Sequence, residues 1–351
     1  MLPAIIDSHI HQWDPFTTPH PTSSMAKINR VAPWFVDFLF ARVMPRKITE
    51  FLRTSENVLH PYLPPTYAAD VAPLKVEGVI HVQADWQGKG PMGPVGETRW
   101  LETLPFGQDG LPELLAIVGH ADPRTPHFAD VLDAHLEASP RFRGVRCMGA
   151  WHPDKHIHAY ADEGGMFREP DFLRGFAALA DRGLTFDAYV YSNQLDDVAV
   201  LAKEYPDTTI VLDHYAPPVG WGGRMGDTGK TEAERATILD AWRDGISRLA
   251  EQPNVVAKHS GLAFPMLGLP TATYTRASLA EIVAPIVEHT TAVFGPDRLL
   301  FGSNYPMDKA LAPYPEIVGA LTDLLAPHGE DVLRKVFREN AERVYRLKLA
   351  A

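Results

Sequence analysis

The sequence predicts an α/β chain folded as a single (β/α)8 barrel, and three observations carry that prediction. Eight short apolar runs recur along the chain, each ending in a polar cluster. Several are rich in Val and Ile without clean alternation, the pattern of parallel strands covered on both faces. Stretches with helical spacing lie between them, and 351 residues leave about 100 beyond the roughly 250 of a minimal barrel. A doubly wound open sheet is the alternative for the same alternation.

The predicted strands are 4–8, 78–83, 114–120, 144–148, 184–190, 209–213, 255–259 and 299–303. Phe172, Phe176 and Leu179 share a helical face ahead of Gly183, a helix stop. Leu195, Val198, Leu201 and Ala202 form a second such face, with Asn193 as its expected cap. Leu279, Ile282, Val283, Ile286 and Val287 form a third, in which Pro285 predicts a kink. Val332, Leu333, Val336, Phe337, Val344 and Tyr345 predict a closing amphipathic helix.

Two stretches fit no barrel unit, although the whole of 1–351 reads as one domain. Residues 15–76 read as a helical insertion carrying Trp34, Phe35, Phe38, Leu39, Phe40 and Phe51. These aromatics either pack over the top of the barrel or form the surface of a homodimer. Residues 217–232 hold five glycines but lack the Gly-x-x-x-x-Gly-Lys-Ser/Thr pattern, which predicts a mobile active-site loop rather than a phosphate cradle.

Composition narrows the partners. With 44 acidic against 33 basic residues and a net charge of −11, the chain lacks the basic footprint of nucleic-acid binders. No segment approaches the ~20 apolar residues of a membrane span, and the first residues lack the basic and long apolar regions of a signal peptide. Cys147 is the only cysteine, so no intramolecular disulfide can form. A cytoplasmic protein acting on a small molecule is the expectation.

Barrel enzymes carry their reactive groups at the C-terminal ends of the strands. Here those ends offer His9 and His11, Gln83 and Asp85, His120 and Asp122, Arg146, Asp187 and Tyr189, His214, Lys258 to Ser260, and Ser303 with Asn304. Side chains two apart on a strand point the same way, so His9 and His11 can converge on one ion or one substrate oxygen. His156 and His158 repeat the spacing, but in a polar loop that reads as solvated.

Ile6-Asp7-Ser8-His9-Ile10-His11-Gln12-Trp13-Asp14, Val82-Gln83-Ala84 with Glu97, Gly144-Val145-Arg146, Val211-Leu212-Asp213-His214, Lys258-His259-Ser260-Gly261, Phe301-Gly302-Ser303-Asn304-Tyr305-Pro306 and Asn340-Ala341 with Tyr345 occur in this order. Together they resemble the amidohydrolase superfamily, in its branch of sugar lactonases and pyrone-dicarboxylate lactonases. The resemblance implies that His9, His11 and His214 bind a divalent metal, zinc being the expected one, or act on substrate without any. It implies that Arg146 anchors a carboxylate or polarises a carbonyl, a task suited to its planar fork, and that Tyr189 donates a hydrogen bond to substrate. Lys258 would point at the pocket, since an unpaired buried ammonium is costly; the competing reading, for Arg146 and Lys258 alike, is an internal salt bridge across the barrel floor with a partner such as Asp187. Gln83 and Asp187 complete the expected substrate contacts.

One departure matters. The family's eighth strand ends in Asp, a metal ligand and the residue that activates water, where this chain has Asn304. An amide is no general base at neutral pH, though it ligates weakly and can donate to an oxyanion. Asp308 is the expected replacement base, with Asp187 a second proton carrier. The reaction expected is hydrolysis of a lactone of a small carboxylated or polyhydroxylated compound, aromatic-derived or a sugar. The rivals are a metal-dependent decarboxylase of an aromatic acid and a catalytically lapsed barrel that binds a small ligand.

Overall fold

In the computed structural model, which describes residues 4–348, eight parallel strands pair in sequence order. They are β1 (Ile5–Ile10), β2 (Val76–Val82), β3 (Glu113–His120), β4 (Phe142–Met148), β5 (Thr185–Tyr189), β6 (Ile210–Leu212), β7 (Val255–His259) and β8 (Leu299–Phe301). The last strand returns to the first just beyond its end. Asn304 N–H donates to the His9 carbonyl at 2.9 Å, and His11 N–H to the Tyr305 carbonyl at 2.8 Å. The runs read from sequence therefore become the strands of a barrel, and the open sheet is ruled out by this closure.

Side-chain alternation sorts each strand. Ile80, Val82, Ala116, Val118, Val211, Val256 and Leu300 face inward and meet Tyr345 from the chain's last helical segment. Their outward neighbours, among them Val79, Ile117, Val145, Phe186, Leu212 and Phe301, join the larger core under the helices. One interior layer is charged: Asp187, Asp213 and Lys258 are fully buried above the apolar floor, and Arg146 nearly so.

Between β1 and β2 lie α1 (Ser23–Val31), α2 (Pro33–Arg42), α3 (Arg46–Leu52), α4 (Glu56–Leu59) and α5 (Pro64–Val71). Of the aromatics expected to cover the barrel, Phe51 meets Phe264 and His158 with ring centroids 5.6 and 4.7 Å away. Trp34, Phe35 and Phe38 stay exposed on α2, because that helix has one buried residue, Val36, and packs mainly beside α1.

Other details correct the sequence reading. Asn193 caps nothing; it lies in a 3-10 turn and donates to the Trp151 carbonyl, while the helix Leu195–Glu204 begins after Gln194. The face from Leu279 to Val287, by contrast, lies on one helix as expected, Arg276–Phe294, with Pro285 inside it. The closing helix contains a π-turn over Lys335–Glu339. Among the described residues no helix is long and apolar enough to cross a membrane.

Candidate active site

β1 places the histidine pair through an irregularity. Ile6 faces the barrel interior while Ile5 and Ile10 face the helices, so strict alternation would send His9 and His11 outward with Ile5. The register with β2 shifts between Asp7 and Ile10, and this bulge re-aims both imidazoles inward. Two glycines make room for them. A Cβ on Gly302 would lie 2.6 Å from the His9 Cβ, and one on Gly261, whose φ is +65°, 2.9 Å from the His214 Cβ.

Above the charged layer opens a cavity of about 150 Å3. His11, Gln83, Arg146, Tyr189, His214 and Asn304, all expected at the site, line it together with Asp85, His20 and an apolar wall that includes Trp13, Phe51, Met148, Tyr160 and Phe264. The expected residues His9, Asp187, Lys258 and Asp308 do not line it. Each is wholly buried, held in the layer below or behind by partners of its own.

Those partners define their roles. The Lys258 ammonium lies 2.5 Å from Asp187 Oδ2, 3.2 Å from Asp213 Oδ1 and 3.2 Å from His9 Nδ1. The ion pair with Asp187 across the barrel thus exists, and Tyr345 seals it from beneath by donating to Asp187 Oδ2 at 3.0 Å. Burial raises the Asp187 carboxyl to about 6, against the opposing pull of Lys258. Burial acts on Asp213 too, but Lys258 and then His9 outweigh it and hold that carboxyl well below the usual range. Asp308 accepts from the Ala263 N–H at 2.9 Å and the Asn304 amide at 2.7 Å. Burial nevertheless pushes its carboxyl up to about 8, and it steadies Asn304 rather than meeting the cavity.

The histidines share one pattern. Nδ1 of His9 is 3.3 Å from Asp213 Oδ1, that of His11 is 2.8 Å from the Val82 carbonyl, and that of His214 is 2.8 Å from Ser260 Oγ. For His11 the Val82 carbonyl, an acceptor only, fixes Nδ1 as the protonated nitrogen and leaves Nε2 as the lone pair, and neighbours at Nδ1 of this kind orient metal-binding imidazoles. Burial keeps all three rings neutral: His9 and His11 fall well below the usual range and His214 to about 3. His9 sits 4.9 Å from His11 and 4.5 Å from His214 between ring centroids.

Ligand atoms of His9, Asp213 and His214 lie within 4.8 Å of one another. His11 Nε2 faces Asn304 Oδ1 at 3.3 Å, two acceptors that a cation would reconcile. By donor type these residues fit a divalent cation, although Arg146, whose Nη1 is 3.3 Å from His9 Nε2, competes for one lone pair.

Three donors remain unspent. The Arg146 Nε, the Tyr189 hydroxyl and the Gln83 amide nitrogen are buried without hydrogen-bond partners, and all three residues line the cavity. Strand ends bend sharply around it: Asp85, His214 and Asn304 have φ of 56°, 53° and 57°. Such left-handed backbone costs about 1–3 kcal/mol at non-glycine residues and clusters at functional sites.

The glycine-rich stretch contributes no lining residue. Gly220 and Gly222 N–H groups bond the Met266 and Leu267 carbonyls, and Gly223 and Gly268 approach too closely for any side chain. It is a packed buttress of the neighbouring loop, not the active-site loop expected. His158 stacks edge-on to Tyr160 beside Phe51. His156 instead joins Asp154 and Asp227 at the surface, at 3.2 and 3.1 Å.

A barrel with paired histidines on its first strand and a third after its sixth defines a hydrolase-like site. The profile of the amidohydrolase family matches residues 6–347, and the chain belongs to that family. It is 30% identical over 344 residues to the uncharacterized protein y4mH of Sinorhizobium fredii, spanning 98% of this chain and 99% of that one. It is 28% identical over 253 residues to an L-fucono-1,5-lactonase of Burkholderia multivorans, spanning 71% of this chain and 77% of the relative. In fold it is similar to an amidohydrolase from Burkholderia multivorans crystallised with bound zinc, with TM-score 0.71, 23% identity and 99% and 100% of the two chains covered.

Proposed function

We propose that this protein hydrolyses a lactone of a small molecule that pairs an oxygen-rich end with an apolar body. The observation that carries the reading is the set of unspent donors on the cavity wall: Arg146 Nε, Tyr189 Oη and Gln83 Nε2. Buried donors without partners are costly, and an ester carbonyl with its neighbouring oxygens would satisfy them. The likeness to a lactonase supports the same chemistry.

In this reading Arg146 and Tyr189 orient the carbonyl and stabilise the oxyanion that forms on it, where each donor is worth most. Gln83 holds a second substrate oxygen. Asp213 and Lys258 fix His9, which braces Arg146 from behind. Phe51, Met148 and Phe264 exclude water from the far side of the ring. His9, His11 and His214 would hold a divalent cation, zinc by likeness to the zinc-bound neighbour, and such an ion supplies Lewis acidity to the carbonyl. Asn304 then donates its carbonyl oxygen where the family has a carboxylate, a weaker partner for a cation.

The test is acid release from a panel containing L-fucono-1,5-lactone and dihydrocoumarin, followed with a pH indicator. Turnover should fall by about 100- to 1000-fold in Arg146→Ala, the usual loss for one oxyanion donor. CO2 release from aromatic acids in place of lactone opening would make it a decarboxylase. A ligand-induced thermal shift without turnover would make it a binding protein. Activity lost on chelation and restored by zinc supports the cation; activity untouched by chelation removes it.

A further inference from the structure

We propose that Asp85 is the general base that activates the attacking water, in the place left vacant by Asn304. The proposal rests on the lactone-hydrolase reading and deepens it. Among the described residues lining the cavity, Asp85 is the only carboxylate, and neither of its carboxylate oxygens is engaged by a hydrogen bond or ion pair. Asp308 and Asp187, the bases expected from sequence, are walled off behind Asn304 and Lys258. Asp85 is also held for a purpose: its backbone has φ of 56°, and its N–H donates to Gln83 Oε1 at 2.9 Å, which aims the Gln83 amide nitrogen elsewhere.

Burial decides between Asp85 and the histidines that share the cavity. An imidazole that takes a proton acquires charge, which a buried site opposes. A carboxylate that takes one loses charge, which the same site favours. Burial accordingly raises the Asp85 carboxyl, with Arg146 pulling the other way, and lowers His20, a cavity histidine outside the candidate cation set, to about 4. The groups facing Asp85 are Arg146 on β4, Glu97 on the helix after β2, His120 at the end of β3, and Tyr160 in the loop after β4. Arg146 acts on it most strongly among these charges, and base and carbonyl anchor line the same cavity.

The step balances without another reagent. As the water oxygen bonds to the carbonyl carbon, its proton passes to an Asp85 oxygen and the carbonyl π pair moves onto oxygen beside Arg146. When that pair returns, the ring C–O bond breaks, and Asp85 returns the proton to the departing oxygen. The product is the open hydroxy acid.

The experiment is steady-state kinetics of the full chain on L-fucono-1,5-lactone and dihydrocoumarin across pH 5 to 9. Asp85→Asn keeps the shape, and Asn tolerates left-handed backbone. The expected result is a kcat loss of 100-fold or more, KM within threefold, and disappearance of the acid limb of the kcat profile. Asp85→Gly, unstrained at this φ, should regain at least tenfold with added formate. Retention of kcat within threefold, a loss confined to KM, or no formate rescue overturns the proposal. No turnover of either lactone by the unaltered protein overturns the lactonase reading and this base with it, so the two failures are distinct.

Discussion

His9 shows how a single residue is fixed by charge it does not carry. Asp213 Oδ1 and the Lys258 ammonium both lie beside its Nδ1, and Arg146 meets Nε2. Lys258 thereby acts through His9 and its two carboxylates rather than on substrate. Lys258→Met leaves Asp187 and Asp213 buried without their cation, which costs roughly 3–5 kcal/mol. Those carboxyls would then titrate above their unfolded values, so their penalty is absent at low pH and accumulates as pH rises. Denaturant unfolding should show the variant closer to the parent at pH 5 than at pH 8; an equal deficit at both would contradict this. At this scale the sequence was legible for residue type and misleading for depth. It offered Asp308 and Asp187 as proton carriers because they stand near strand ends, whereas Asp85 is set apart by its left-handed φ and the absence of partners, neither of which spacing reveals.

Among the elements, β1 carries the most information. Period-two spacing foretold that His9 and His11 point the same way, and they do. Which way depends on the shift against β2 between Asp7 and Ile10, and nothing in the local pattern marks it. Gly302 preserves the result from the opposite side. Gly302→Ala drives a methyl into His9, an overpacking cost of about 1–3 kcal/mol. It should lower kcat more than tenfold with the thermal midpoint down only several degrees; full activity would show that His9 has slack. α3 is the other element that shapes the site. Phe51 anchors it on Phe264 and lines the cavity, so Phe51→Ala should raise KM for dihydrocoumarin more than for L-fucono-1,5-lactone. Equal effects would deny that wall its role in choosing the substrate body. Between β1 and β2, the exposed Trp34 and Phe38 show that aromatic count alone does not say what a helix face meets.

Over the whole molecule, the barrel was legible because eight buried strands each leave the same apolar trace, and it closes through backbone hydrogen bonds that include those from Asn304 and His11. The buried histidines set its pH response. His259 accepts from the Tyr215 hydroxyl at 2.7 Å, and burial lowers it to about 3; burial lowers His135 to about 4. The unfolded chain protonates these residues near 6.5, so their stabilisation is present above that pH and is lost as pH falls toward the folded values. The thermal midpoint should drop between pH 6.5 and 4, and less steeply in His259→Gln; an unchanged slope would remove His259 from the acid response. Lactone opening itself is read most directly by isotope. Hydrolysis of dihydrocoumarin or L-fucono-1,5-lactone in H2-18O should place one 18O in the product carboxylate at a rate that Arg146→Ala suppresses. Label in the product hydroxyl, or no product from the unaltered protein, would contradict attack of water on a carbonyl held in this cavity.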